Sequence, residues 1–187
     1  MLFRSNSDEK GYINRLDFRA NDIRMKTEDH PEHIEIIRLI LPAPLLPGDS
    51  VRITTPFHVQ LPRNFSRSGH VGKSYQITQW YPKPAVYDEQ GWHPMPYLDQ
   101  GEFYSEFGNY EVEITIPAAY QVLASGELSS SSQQPSSNDS MVNKTWIFKQ
   151  HSIHDFAWFA AKNWILVSDS MQLPSGRTLR LNAAYLS

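Results

Sequence analysis

Cysteine is absent from this chain of 187 residues. Its absence excludes disulfide cross-links, thiolate nucleophiles and zinc sites built from cysteine. It does not distinguish a reducing cytosol from an oxidising periplasm, because proteins of both compartments can lack cysteine. The compartment of the protein is therefore not predicted from its composition.

Long basic and long apolar runs are also missing. The net charge is −3 and no cluster of Lys and Arg appears, so DNA or RNA is not predicted as a partner. No stretch approaches the roughly 20 apolar residues that a transmembrane helix needs. The opening sequence, MLFRSNSDEKGY, lacks the apolar segment of a signal peptide. We expect no transmembrane segment and no nucleic-acid partner.

The common catalytic motifs are missing as well. The sequence contains no H-E-x-x-H, no G-x-S-x-G and no glycine-rich phosphate loop. The nearest approach to a histidine metal site is HSIHD at residues 151–155, which we interpret as a polar turn before a buried strand. We therefore predict no catalytic and no metal-binding residue in this chain.

Alternating apolar residues are the clearest structural pattern that is present. They occur in residues 51–61, with Pro56 indicating an edge or a bulge, in residues 110–116, and in residues 179–185. Helical periodicity is almost absent. The sequence predicts an all-β fold, a β-sandwich or saddle-like sheet of about eight strands forming one domain over residues 1–187.

Other segments complete this prediction. Residues 33–42 (HIEIIRLILP) predict a strand that ends at PAPLLPGD. Residues 120–124 are predicted to continue the strand at 110–117 or to be its hairpin partner. The Ser-rich residues 129–140 predict a mobile loop, and WIFK at 146–149 a strand. DFAWFAAKNWILV, residues 155–167, predicts a buried strand, with a buried helix over DFAWFAAKNW, residues 155–164, as the alternative.

Residues 75–108 combine two Trp, five Tyr, two Phe and four Pro. Aromatic side chains interleaved with proline suit an ordered, shaped surface that binds a ligand. Gln76 and Gln79 lie at its start, and their amides can both donate and accept hydrogen bonds to a peptide or sugar. For Gln76 a structural role, satisfying buried backbone groups, is equally open. Most carboxylates of this segment are interpreted as solvated surface charge, because sequence cannot place two of them at glycosidase spacing.

Several blocks of the sequence resemble the N-terminal β-domain of the M1-family zinc metallopeptidases, the aminopeptidase N and leukotriene A4 hydrolase group, in a divergent bacterial branch. The resemblance covers about residues 17–187. The blocks that carry it are Gln76, Tyr81-Pro82, Asp88, YEVEITIP at 110–117, LASGEL at 123–128 and DFAWFAAKNW at 155–164.

The resemblance implies a saddle-shaped β-domain that packs beside a thermolysin-like catalytic domain. It also implies that one side chain of the β-domain binds the free α-amino group of a peptide substrate. Gln76 matches that role best and Gln79 second, because the spacing from the Gln to the aromatic-Pro pair is shorter than the family's pattern. The H-E-x-x-H and G-x-M-E-N motifs would lie after residue 187, so we expect a fragment that neither binds the catalytic zinc nor hydrolyses peptides alone. A periplasmic or extracellular location is compatible with the family.

Two alternatives remain. One is a non-catalytic relative of the same family. The other is a stand-alone carbohydrate- or protein-binding β-sandwich, whose stacking platforms would be Trp80, Trp92, Tyr97, Phe103 and Tyr104.

Overall fold

The computed structural model of the chain describes residues 9–64, 67–98, 104–135 and 142–186. These residues are almost entirely β, so the predicted all-β class is confirmed, whereas the saddle arrangement stays a prediction. The strands are β1 Tyr12–Asn14, β2 Arg19–Ala20, β3 Ile23–Arg24, β4 Lys26–Asp29, β5 Ile37–Ile40, β6 Ile53–Thr54, β7 His58–Gln60, β8 Gly69–Val71, β9 Ser74–Ile77, β10 Val86–Asp88, β11 Gly91–His93, β12 Gly108–Pro117, β13 Gln121–Ala124, β14 Glu127–Pro135, β15 Val142–Ile153, β16 Trp158–Ala161, β17 Trp164–Gln172 and β18 Thr178–Leu186. Within the described ranges, no helix has the length and apolar character to span a membrane.

The chain divides into two compact units, which are described separately. The first comprises Met1–Pro62 and Trp80–Phe107, and the second comprises Arg63–Gln79 and Gly108–Ser187. The single domain over residues 1–187 stays a prediction.

The first unit consists of small antiparallel sheets, in the strand orders β1-β7, β3-β2-β6, β4-β5 and β10-β11. The single strand predicted over residues 51–61 is wrong. Pro56 has no backbone N–H to donate, and the run breaks there into β6, which pairs with β2, and β7, which pairs with β1. The strand predicted over residues 33–42 is shorter in the structure, where β5 covers only Ile37–Ile40. Ile34 lies outside any strand and is 96% exposed.

The second unit contains longer sheets, in the orders β12-β15-β14, β13-β16-β9-β8 and β17-β18. β12 alternates as predicted, with Ile114 buried and its neighbours Glu113 and Thr115 exposed. β15 is much longer than the WIFK strand predicted, and its Phe148 lies opposite Val112 of β12 and is buried. These residues form the apolar side of the three-stranded sheet.

Three predictions about this unit require correction. The Ser-rich segment was expected to be a loop, but residues 127–135 form β14 and pair along β15; residues 136–140 lie outside the described residues. β13 neither continues β12 nor pairs with it, but pairs with β16 in another sheet. Residues 155–167 are not one buried strand, since a break at residues 162–163 separates β16 from β17. The helical alternative for that segment is wrong too.

Candidate functional site

Gln76 lies in β9, an inner strand of the four-stranded sheet β13-β16-β9-β8. The side chains of β9 alternate, so Ile77 is 5% exposed in the core while Gln76 projects from the other face and is exposed. A two-residue loop joins β8 to β9, and Gly72 occupies its first position with a φ of 56°, which suits glycine. The sequence thus presents a polar amide on an inner strand whose backbone is paired on both sides.

The neighbours of Gln76 leave its side chain accessible. Gln76 lies opposite Gly69 of β8 and Phe159 of β16, and directly opposed residues place their side chains on the same face of a sheet. Gly69 contributes no side chain there, and Phe159 contributes a half-buried aromatic ring. Among the described residues, the Gln76 amide has no hydrogen-bond partner, so the geometry does not favour the structural interpretation of this residue.

Hydrogen bonds to the backbone hold the end of β9. The Ser68 hydroxyl lies 3.5 Å from the Gln76 carbonyl oxygen and 3.4 Å from the Thr78 carbonyl oxygen, and can donate to either. The Thr78 hydroxyl donates to the carbonyl of Arg67 at 3.4 Å. These contacts fix the backbone on either side of Ile77.

Gln79 follows in the loop after β9, where it is half-buried. Its φ is 51°, in the left-handed region that costs a residue other than glycine about 1–2 kcal/mol. Such strain is typical of positions that a surrounding structure holds in place. Both predicted glutamines therefore lie at one end of β9, but only Gln76 projects from the sheet itself.

The aromatic segment of residues 75–108 is split between the two units. Residues 75–79 belong to the second unit as β9 and its following loop, and residues 80–107 belong to the first. Within the first unit the segment contains the β10–β11 hairpin, which was not predicted from the sequence.

Asp88 and His93 fasten this hairpin. The Asp88 carboxylate lies 2.7 Å from Nε2 of His93 and accepts a hydrogen bond of 2.8 Å from the backbone N–H of Gln90. The His93 hydrogen bond first, and the Gln90 one second, lower the pKa of Asp88 below its ordinary value of 3.8. On the same face of the hairpin, Val86 is only 1% exposed, so this face is anchored.

The opposite face of the hairpin carries two exposed rings. Tyr87 and Trp92 lie opposite each other, with ring centroids 4.9 Å apart and planes tilted by 56°. They are 63% and 66% exposed, respectively. Trp92 was predicted as a stacking platform, whereas Tyr87 was missed, although the Asp-Glu-Gln-Gly sequence between them is a turn signal that would have paired the two.

The other predicted platforms differ from one another. Tyr97 and Tyr104 are about half exposed, and the Tyr104 ring packs edge-on against His93 at 5.7 Å. Trp80 is half-buried against Phe57 at 6.0 Å. Phe103 lies outside the described residues.

A long-range hydrogen bond ties Tyr97 to an earlier loop. Its backbone N–H donates to the Glu35 carboxylate at 3.0 Å. A hydrogen bond from the backbone of Glu35 itself and the one from Tyr97 lower the pKa of the Glu35 carboxyl. This contact was not predicted, because it joins residues 62 positions apart.

Metal ligands are not assembled in the part of the chain that the structure describes. No group of three or more His, Asp or Glu side chains there is arranged to hold a metal ion. His151 lies near the end of β15 and His154 just after it, both exposed. That this chain holds no zinc itself stays a prediction.

Comparison with known proteins gives no match to any family model, curated protein or solved structure.

Proposed function

We propose that this chain is the substrate-anchoring and scaffold domain of a zinc-dependent aminopeptidase-like protein that hydrolyses N-terminal peptide bonds in its full-length form. The observation that carries the proposal is the exposed amide of Gln76, which projects from an inner strand without a hydrogen-bond partner among the described residues. Sequence resemblance is its other support, since the blocks YEVEITIP and LASGEL coincide with β12 and with the β13–β14 turn.

The chemistry of this role is hydrogen bonding to a charged group. The carbonyl oxygen of the Gln76 amide accepts a hydrogen bond from the α-ammonium group of a peptide, and a charge-assisted bond of this kind is stronger than a neutral one. The half-buried Phe159 ring beside it supplies an apolar wall. Positioning a substrate in this way lowers the entropic cost of the reaction while the domain itself breaks no bond.

Zinc belongs, in this proposal, to a downstream thermolysin-like domain. There a bound zinc would polarise the scissile carbonyl and activate water. No step of that chemistry is assigned to residues of this chain.

Two observations test the proposal. The coding sequence after residue 187 should contain H-E-x-x-H with a Glu about 20 residues further on, as the zincin ligand set requires. The full-length protein should hydrolyse amino-acid anilides, lose that activity on treatment with a chelator and regain it with zinc. A reading frame that lacks the H-E-x-x-H motif contradicts the proposal, and so does peptidase activity that the chelator does not change.

A second candidate function is carbohydrate binding, which the exposed Tyr87–Trp92 pair favours. The two exposed rings lie side by side on the hairpin face opposite the Asp88–His93 contact, and an exposed aromatic ring can stack on the apolar side of a sugar ring. Titration with a panel of soluble oligosaccharides, followed by tryptophan fluorescence, tests this function. Binding that is lost in Trp92→Ala but kept in Tyr97→Ala supports it, and no binding by the parent chain contradicts it.

A further inference from the structure

The β17–β18 hairpin carries an apolar face that the described chain leaves open. The two strands pair with each other over nine residue pairs and with no other described strand. On one face lie six large apolar side chains, each between 38% and 52% exposed: Ile165, Val167, Met171, Leu179, Leu181 and Tyr185. Ala183 and Asp169 also lie on this face, which we call the apolar hairpin face.

The other face of the hairpin differs in character over its outer part. From Ser168 to the turn, it carries Ser, Gln, Thr, Arg and Asn side chains. In this outer part the apolar residues lie on one face, as in a strand with one face covered, whereas Trp164, Leu166 and Ala184 make the inner end of the hairpin apolar on both faces. A two-stranded hairpin is marginally stable by itself, so it gains stability from packing that face.

We propose that the apolar hairpin face packs against the same face of a second copy of this chain, forming a two-fold symmetric dimer. This inference is independent of the proposed peptidase role. Sheet faces pack at about 10 Å through interdigitated side chains, and in a two-fold dimer the same patch of each copy forms the interface.

The area of the face agrees with a weak dimer. Six large side chains, each about half exposed, leave on the order of 500 Å² open on each copy, which is at the upper range for a patch on a monomer. Two such faces bury roughly 1,000 Å² together, near the lower limit for a specific interface. We therefore expect a reversible dimer with a dissociation constant in the micromolar range.

One residue on this face opposes association. Asp169 lies opposite Leu181 in the hairpin register and therefore shares the apolar face. Burying its charge without a partner weakens the dimer. Replacing it by Asn, which keeps the acceptor for the Ser170 backbone N–H at 2.7 Å, should strengthen the dimer several-fold.

The experiment uses sedimentation velocity on the chain from about 1 to 200 µM, a range that brackets a micromolar constant. Leu181→Lys places a charge on the apolar hairpin face opposite Asp169, where a cross-strand ion pair helps to keep the fold. Asn182→Lys, the adjacent residue on the same strand, places the same charge on the other face and is the matched control. Circular dichroism checks that each variant is folded.

The expected result is a concentration-dependent dimer that Leu181→Lys weakens about tenfold or more, that Asn182→Lys leaves within about twofold, and that Asp169→Asn strengthens. A parent chain that stays monomeric over the whole concentration range overturns the proposal. It does so also if slow hydrogen exchange in the hairpin shows that the same chain covers this face. A dimer equally affected by Leu181→Lys and Asn182→Lys also overturns it. If Leu181→Lys does not fold, the Asp169→Asn comparison decides.

Discussion

Phe156 gives the sharpest test of the packing in the second unit. Its side chain is 0% exposed, and its ring stacks on Tyr110 at a centroid distance of 6.0 Å. The next residue exchanges hydrogen bonds with Ser125, whose backbone N–H donates to the Ala157 carbonyl at 2.8 Å and whose hydroxyl accepts from the Ala157 N–H at 3.1 Å. Phe156 thus anchors the segment that leads into β16, the strand that carries Phe159 beside Gln76.

Replacing Phe156 by Ala should lower the free energy of unfolding by about 3–5 kcal/mol, because a fully buried ring leaves a cavity that the surroundings only partly fill. This is a large part of the roughly 5–15 kcal/mol that stabilises a domain. Urea unfolding followed by circular dichroism measures the change from the midpoint and slope.

The matched control is Phe107→Ala. Phe107 is 70% exposed, so losing its ring should change the unfolding free energy by less than about 1 kcal/mol. Equal shifts in the two variants, or a shift below about 1 kcal/mol for Phe156→Ala, would refute the burial argument.

Two further predictions concern turns between strands. Because its folded-state pKa lies below the ordinary value of 3.8, Asp88 stabilises the protein above that pH and loses this contribution as the pH falls through the lower folded value. The stability difference between the parent and Asp88→Asn should therefore shrink as urea midpoints are measured at falling pH, and a constant difference contradicts the role of His93. Gly126→Ala should cost about 2 kcal/mol or more, since its φ is 102° and an added Cβ would lie 2.9 Å from the Lys149 carbonyl oxygen. Gly176→Ala, with a φ of 82° but open space around it, should cost less in the same assay, and the reverse order would contradict the steric argument.

The parts of the fold that sequence predicts are those set by local alternation. β12 was predicted because one of its faces is buried and the other is solvated, so apolar and polar residues alternate along consecutive positions. β14 could not be predicted, because Ser and Gln are not among the residues enriched in strands and no apolar alternation marks the segment, which pairs along β15. The same holds for β13, whose partner β16 lies more than 30 residues away.

The sequence names the candidate site residues but does not predict their geometry. The sequence points to Gln76 as an amide beside aromatic residues, but its exposure depends on the register of β9 between β8 and β16, which no local pattern specifies. The pairing of Tyr87 with Trp92 depends likewise on the turn between them, which the Asp-Glu-Gln-Gly sequence at residues 88–91 indicates. The predicted role of Gln79 stays a prediction.

The central claim is that the Gln76 amide binds the free N-terminus of a peptide. Its most direct test compares kcat/KM of the full-length protein and its Gln76→Ala variant on the same peptide with a free and with an acetylated N-terminus, using the exposed Gln172→Ala as control. Loss of a hydrogen bond to a charged group is worth about 1.5–3 kcal/mol, so kcat/KM for the free peptide should fall roughly tenfold to 150-fold. The preference for the free over the acetylated peptide should fall by the same factor, and Gln172→Ala should change neither. An unchanged preference in Gln76→Ala would contradict the claim.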